Sequence, residues 1–93
     1  MRPRPDWMSL NDPPILEFLE EHDLELPPKA LFVNLNRQGH KIGYSTVRLR
    51  LNTLQEHGLL EKSGDSGYYH VSDKGRKWLE GSLSAGELES GEE

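Results

Sequence analysis

Apolar side chains recur along this chain at helical spacing in four places and as short extended runs in two. The most informative stretch runs from Gly43 to Leu60. Val47, Leu51 and Leu54 fall there at i, i+4 and i+7, a stripe that predicts a helix over 44–57 with one buried face. Ser45 is read as its N-cap, and Gly58 as the left-handed residue that closes it. The face away from the stripe carries Thr46, Arg48, Leu49, Arg50, Asn52 and Thr53. Two guanidiniums, two hydroxyls, a carboxamide and an unexpected leucine suit phosphates and base edges in a DNA major groove better than they suit bulk water.

The same patterning places the other elements. Asp12 as N-cap and Pro13 at the first helical position predict a first helix ending at His22 or Asp23, with Ile15, Leu16, Phe18 and Leu19 inward and Glu17, Glu20 and Glu21 in water. Pro27-Pro28 opens a second helix through Leu35 that closes around Gln38-Gly39; its apolar residues are too many for one stripe, so it is expected to be short and largely enclosed. Lys41-Ile42-Gly43 is a brief extended link, in which Ile42 is expected to pair as a short strand with the hairpin that follows. That hairpin is predicted from Leu59–Lys62 and Tyr68–Val71 flanking a turn of Ser, Gly and Asp. A last helix starts at Ser72-Asp73 and runs through Trp78 and Leu79, with Leu83 as its furthest reach. No internal repeat interrupts the order.

Three helices, the third with a polar outer face, followed by a two-stranded hairpin and a C-terminal helix, make an α+β, mostly α, winged helix-turn-helix. The domain is expected over 11–83, after an N-terminal arm at 1–10 and before a disordered acidic tail at 84–93, which lacks the apolar content to offset ordering entropy. Met1 to Pro5, with two Arg and two Pro, reads as a frayed end or a basic arm for a minor groove. Trp7, Met8 and Leu10 are expected to pack on the domain or on a second subunit.

Charge changes the picture only after it is located. A net charge of −5 is unsuited to a polyanion, yet four carboxylates from Glu87 onward account for most of it and residues 1–86 carry −1. Nine of the eleven Lys and Arg lie between Lys29 and Lys77, whereas Glu17, Glu20, Glu21, Asp23 and Glu25 concentrate acid near the first helix. Local potential, and not net charge, steers a charged partner. No cysteine is present, which excludes disulfides and thiolate chemistry, and no apolar run approaches the roughly 20 residues of a membrane span. No secretory signal is visible, so the expected location is the cytoplasm.

The string Ser45-Thr-Val-Arg-Leu-Arg-Leu-Asn-Thr-Leu-Gln-Glu-His-Gly-Leu59 resembles the recognition helix and following strand of prokaryotic winged-helix regulators. Trp7-Met8, Ile15-Leu-Glu-Phe-Leu19, Asn34-Leu35, Tyr69-x-Val71 and Ser72-Asp-Lys-Gly-x-x-Trp-Leu-Glu-Gly81 further resemble haloarchaeal proteins related to the repressor of the halophage phi-H. The resemblance spans residues 7–83, and its most specific piece is Asp73-Lys74-Gly75. It implies a sequence-specific transcriptional regulator or phage-type repressor. Leu49 departs from it, standing where such helices usually carry a polar residue.

The candidate DNA contacts are Lys41, Ser45, Thr46, Arg48, Leu49, Arg50, Asn52, Lys62, Ser63 and Ser66. Arg48 and Arg50 lead, because Arg holds guanine O6 and N7 together or grips a phosphate. They lie about 200° apart on a helix, so one is expected on bases and the other on backbone, unless they serve in surface ion pairs. Ser45 and Thr46 sit where hydroxyls and N–H groups suit a phosphate, Asn52 suits an adenine edge or the backbone, and Leu49 suits a thymine methyl or a partner chain. Lys41 precedes the helix; Lys62, Ser63 and Ser66 mark the wing, where Asp65 opposes a phosphate role.

His22, His40, His57 and His70 have no metal-ligand spacing, and no phosphate loop, nucleophile elbow or carboxylate pair is found. No enzyme, no cofactor, no membrane and no small-molecule ligand is expected. The partners expected are double-stranded DNA and a second copy of the chain, since so few apolar residues make a marginal core and leave no room for a separate effector domain. The competing reading is a winged helix used as a protein–protein module, for which Arg48 and Arg50 are dispensable.

Overall fold

The computed structural model describes residues 4–22, 25–64 and 67–83. The turn residues Asp65 and Ser66 and the tail from Ser84 lie outside the described residues. The element order is α1 (Asp12–His22), α2 (Pro28–Arg37), α3 (Tyr44–Glu56), β1 (Leu60–Ser63), β2 (Tyr68–Val71) and α4 (Asp73–Glu80). It is a mostly helical winged helix, as the patterning predicts.

α1 and α3 contribute their predicted stripes to one core, whereas α2, expected to be largely enclosed, buries only Leu31 and Leu35 and leaves Val33 exposed, because it packs on the core by one face. Ile15, Leu16 and Leu19 of α1, Leu31 and Leu35 of α2, and Val47, Leu51 and Leu54 of α3 are essentially inaccessible to water, and Trp78 of α4 closes the bottom. Burying such side chains contributes roughly 1.5–3 kcal/mol each. Pro5 and Met8 are buried and Trp7 half-buried, its indole lying flat on the His57 ring with centroids 3.8 Å apart. The segment ahead of α1 is therefore packed against the end of α3.

The turn between α2 and α3 fixes the helix-turn-helix. The Gln38 and His40 N–H groups donate back to carbonyls of Asn34 and Leu35, and Asn36 Nδ2 donates to Ile42 O at 2.9 Å. At its far end α3 stops in a Schellman arrangement. Gly58 N donates to Gln55 O and Leu59 N to Leu54 O at 3.0 Å, while Gly58 takes φ +83°, a value that disfavours any side chain.

β1 and β2 pair antiparallel, Leu60 opposite Val71 and Ser63 opposite Tyr68. The third contributor to this sheet is not Ile42. Leu26, in the α1–α2 connection, exchanges both backbone hydrogen bonds with Tyr69 at 2.9 and 3.0 Å. Ile42 instead turns its side chain into the core, 6% exposed, and spends its carbonyl on Asn36.

Three local expectations change. α3 starts at Tyr44 with Gly43 in the cap position, which leaves Ser45 inside the first turn with its hydroxyl uncommitted to capping. α4 is properly capped, Ser72 Oγ accepting from Gly75 N at 3.0 Å, and ends at Glu80, short of Leu83, because Gly81 adopts φ +80°. Asp12 is the first residue of α1 and not a cap: its carboxylate is buried and turned toward α3.

Candidate nucleic-acid interface

On α3 the residues at 45, 48, 49 and 52 repeat at i, i+3, i+4 and i+7, so they form one stripe opposite Val47, Leu51 and Leu54. Ser45, Arg48, Leu49 and Asn52 are all exposed. Together with Lys62 on β1 they line a single cleft of about 610 Å³ between α3 and the hairpin. Tyr69 forms its floor and Pro28, at the start of α2, one wall. Five of the ten sequence candidates thus meet on one concave surface.

Its electrostatics come from cations held over aromatic rings. The Arg48 guanidinium lies 5.9 Å and Lys29 Nζ 5.7 Å from the centre of the Tyr44 ring, which itself stands edge-on to Phe32 at 5.6 Å. Lys62 Nζ lies 6.0 Å from the Tyr69 ring. Such contacts are worth roughly 0.5–1 kcal/mol at exposed sites, enough to bias a long side chain without tying it down. Lys29 and Tyr44 were missed by reading α3 alone; Lys29 is supplied by another helix, and the aromatic at 44 reads as part of the helix start.

Arg50 does not share this surface. Nε donates to Asp12 Oδ1 at 2.8 Å, and Nη2 donates to Asp12 Oδ2 at 2.7 Å and to the Trp7 carbonyl at 2.8 Å. Asp12 is wholly buried and the Arg50 side chain 14% exposed. Ser9 completes the carboxylate's shell, its N–H donating at 3.0 Å. The hydrogen bonds Arg50 donates to Asp12, opposed by burial, raise the Arg50 pKa above its already basic ordinary value. Helical spacing gave little warning of this: Arg50 lies about 40° from Leu54 at one edge of the buried stripe, and Arg48 about 60° from Leu51 at the other.

Lys41, Thr46 and Ser63 do not line the cleft. Lys41 is exposed in the turn before α3, and Thr46 is half-buried. Ser63 Oγ donates to Glu25 Oε1 at 3.0 Å, on the side of the wing where His70 sits between Glu25 and Glu61. Ser66 lies outside the described residues. On α4, Arg76 pairs with Glu20 of α1 at 2.9 Å, as a cationic face balancing the acidic first helix. Among the described residues no three His, Asp or Glu side chains come together in a way that can hold a metal ion, and no helix is long and apolar enough to cross a membrane.

A helix-turn-helix whose last helix shares a concave, cation-bearing surface with a β-hairpin defines a winged helix-turn-helix protein. The chain belongs to the winged helix-turn-helix phage repressor family, whose model matches residues 1–91. It is similar to the PhiH1 repressor-like protein from Haloarcula marismortui, whose crystal structure superposes with a TM-score of 0.76 at 33% sequence identity, covering 87% of this chain and 86% of that one. No curated protein matches the chain. The family is one of repressor-like DNA-binding domains and not a family of enzymes.

Proposed function

We propose that the protein is a sequence-specific, double-stranded DNA-binding transcriptional regulator of the repressor type, acting in the cytoplasm as a homodimer with α3 in the major groove. The observation that carries this reading is the cleft itself, where the outward stripe of α3 and the wing's Lys62 face the same space. A major groove about 12 Å wide admits a helix, and the wing then lies against the flanking backbone.

Arg48 takes a guanine edge or a phosphate, and Asn52 the neighbouring base edge or backbone. Lys41, Ser45 and Thr46 serve the phosphate nearest the start of α3, while Lys62 with Lys29 grips the strands on either side. Ser63 and Ser66 flank the wing contact. Arg50 is omitted, because its donors already serve Asp12 and Trp7. Two copies related by a two-fold axis would address half-sites about 34–36 Å apart and repress by occluding a promoter. The contact between copies is assigned to the segment before α1, where Leu10 is 75% exposed, or to α4.

The test is fluorescence anisotropy with duplex fragments from the gene's own neighbourhood across a KCl series, beside Arg48→Ala/Lys62→Ala. Saturable binding to a subset of fragments, weakened in the double variant and falling with salt as phosphate contacts require, is the expected result. A folded protein that binds no fragment at any salt would instead favour the protein–protein module. Sedimentation of the free protein and of the complex reads the two-copy stoichiometry.

A further inference from the structure

Leu49 is the one large apolar side chain on the outward stripe of α3. It is 60% exposed, with Ser45 a turn before it, Asn52 a turn after it and Arg48 beside it, and it faces the cleft shared with Lys62 and Tyr69. In the folded chain this leucine contributes nothing to the core, which α3 reaches through Val47, Leu51 and Leu54. Leucine in that place leaves apolar surface in water, whereas a polar residue would not. Leu10 is also exposed, but it lies ahead of α1 and does not line the cleft.

The chemistry of the facing surface narrows what Leu49 can meet. Base edges in the major groove present hydrogen-bond donors, acceptors and a single kind of apolar group, the C5 methyl of thymine. We propose that Leu49 is a specificity-determining residue that packs on a thymine methyl, so that each half-site of the operator carries a required T opposite it. The inference rests on the reading of α3 as the major-groove helix. Arg48 and Asn52 then hydrogen-bond to the positions on either side and exclude water from the methyl contact. Because this contact releases no counterion, the preference for T stays constant as salt lowers affinity overall.

The experiment begins with selection of bound sequences from a random duplex pool by the full chain. Each thymine of the selected site is then replaced by uracil, which removes the methyl and leaves base pairing intact, and affinities are measured for the wild type and for Leu49→Ala at two KCl concentrations. A uracil in one half-site should weaken the wild type about fourfold, the factor equivalent to about 0.8 kcal/mol for one buried carbon group, and one in each half-site about fifteenfold, by the same ratio at both salts. Leu49→Ala, a change at an exposed position whose folding is checked by circular dichroism, should bind the thymine and uracil duplexes alike. A selected duplex whose binding ignores every uracil, or a Leu49→Ala protein as sensitive as the wild type, overturns the inference while the DNA reading stands. If no duplex is selected, the DNA reading fails and takes this one with it.

Discussion

Two arginines two residues apart on α3 have opposite uses, and the flanks they occupy can be compared directly. Toward α1, Arg50 forms three hydrogen bonds in a nearly closed site and joins α3 to Asp12 and to the Trp7 backbone. Toward the wing, Arg48 is exposed, its guanidinium 5.9 Å from the centre of the Tyr44 ring. Both arginines border the apolar stripe, on opposite sides, and the difference follows from what covers each flank: Asp12 and the Trp7 backbone lie over the Arg50 side, and the Arg48 side faces the open cleft. Thus one flank of α3 is a joint and the other an open interface.

Breaking the joint should have the largest effect. Asp12→Ala leaves a guanidinium with one acceptor in place of a bidentate partner, and about 3 kcal/mol of stability should be lost in a urea melt. Arg50→Lys should not rescue an equivalent loss in Arg50→Ala, because an ammonium cannot reproduce the planar fork. The sign of the pH effect is set by the raised Arg50 pKa: a cation held charged contributes fully below its ordinary value and is lost only as pH climbs through the raised one. The deficit of Arg50→Ala should therefore be the same at about pH 7 and about pH 10. A deficit that vanished over that interval would show that the charge on Arg50 is not what holds the joint.

Next in size is Gly75→Ala, which asks whether the wing end of α3 is held as firmly as the joint. A Cβ there would lie 2.2 Å from the Leu59 carbonyl oxygen and 2.9 Å from Val71 Cγ1. Overpacking of this kind should lower stability by about 1–3 kcal/mol, and a neutral result would mean that α4 can slide away from the wing. Arg48→Ala sharpens the comparison from the open side. Its stability in a urea melt should stay within about 0.5 kcal/mol of wild type, while duplex affinity falls about tenfold and, where Arg48 meets a phosphate, the log–log salt slope shrinks by about 1. Tyr44→Leu should have the smallest effect, about twofold in affinity, by releasing Arg48 and Lys29 from a shared ring.

Much of this was legible in the residues, and what was not has a common cause. Periodicity placed all four helices and the hairpin, because those signals are local: Val47, Leu51 and Leu54 announce a buried face without reference to anything else. Asp12 read as a cap because Asp before Pro is a local start signal, yet its partner lies 38 residues away on α3. Leu26 was invisible as a sheet member for the same reason, since nothing near it in sequence specifies pairing with Tyr69. Within the candidate interface, the stripe Ser45, Arg48, Leu49 and Asn52 follows from helical spacing, whereas Lys29 and Tyr69 join it only through the packing of α2 and the wing.

The close contact at Gly75, on the wing side of α3, also bears on the proposed binding of a duplex. The Leu59 carbonyl accepts from Ser72 N at 3.1 Å, the Ser72 hydroxyl donates to the Gly58 carbonyl, and Gly75 presses against the same short segment. The end of α3, the wing and the start of α4 are thus joined largely backbone to backbone, with the Lys74 side chain packed beside Gly58. On the proposed reading of α3 as the major-groove helix, a duplex entering the cleft would supply much of the adjustment by bending or by changing groove width. Base pairs beneath the wing that touch no side chain would then be selected by how easily they deform, a preference written in DNA stiffness and not in hydrogen bonds.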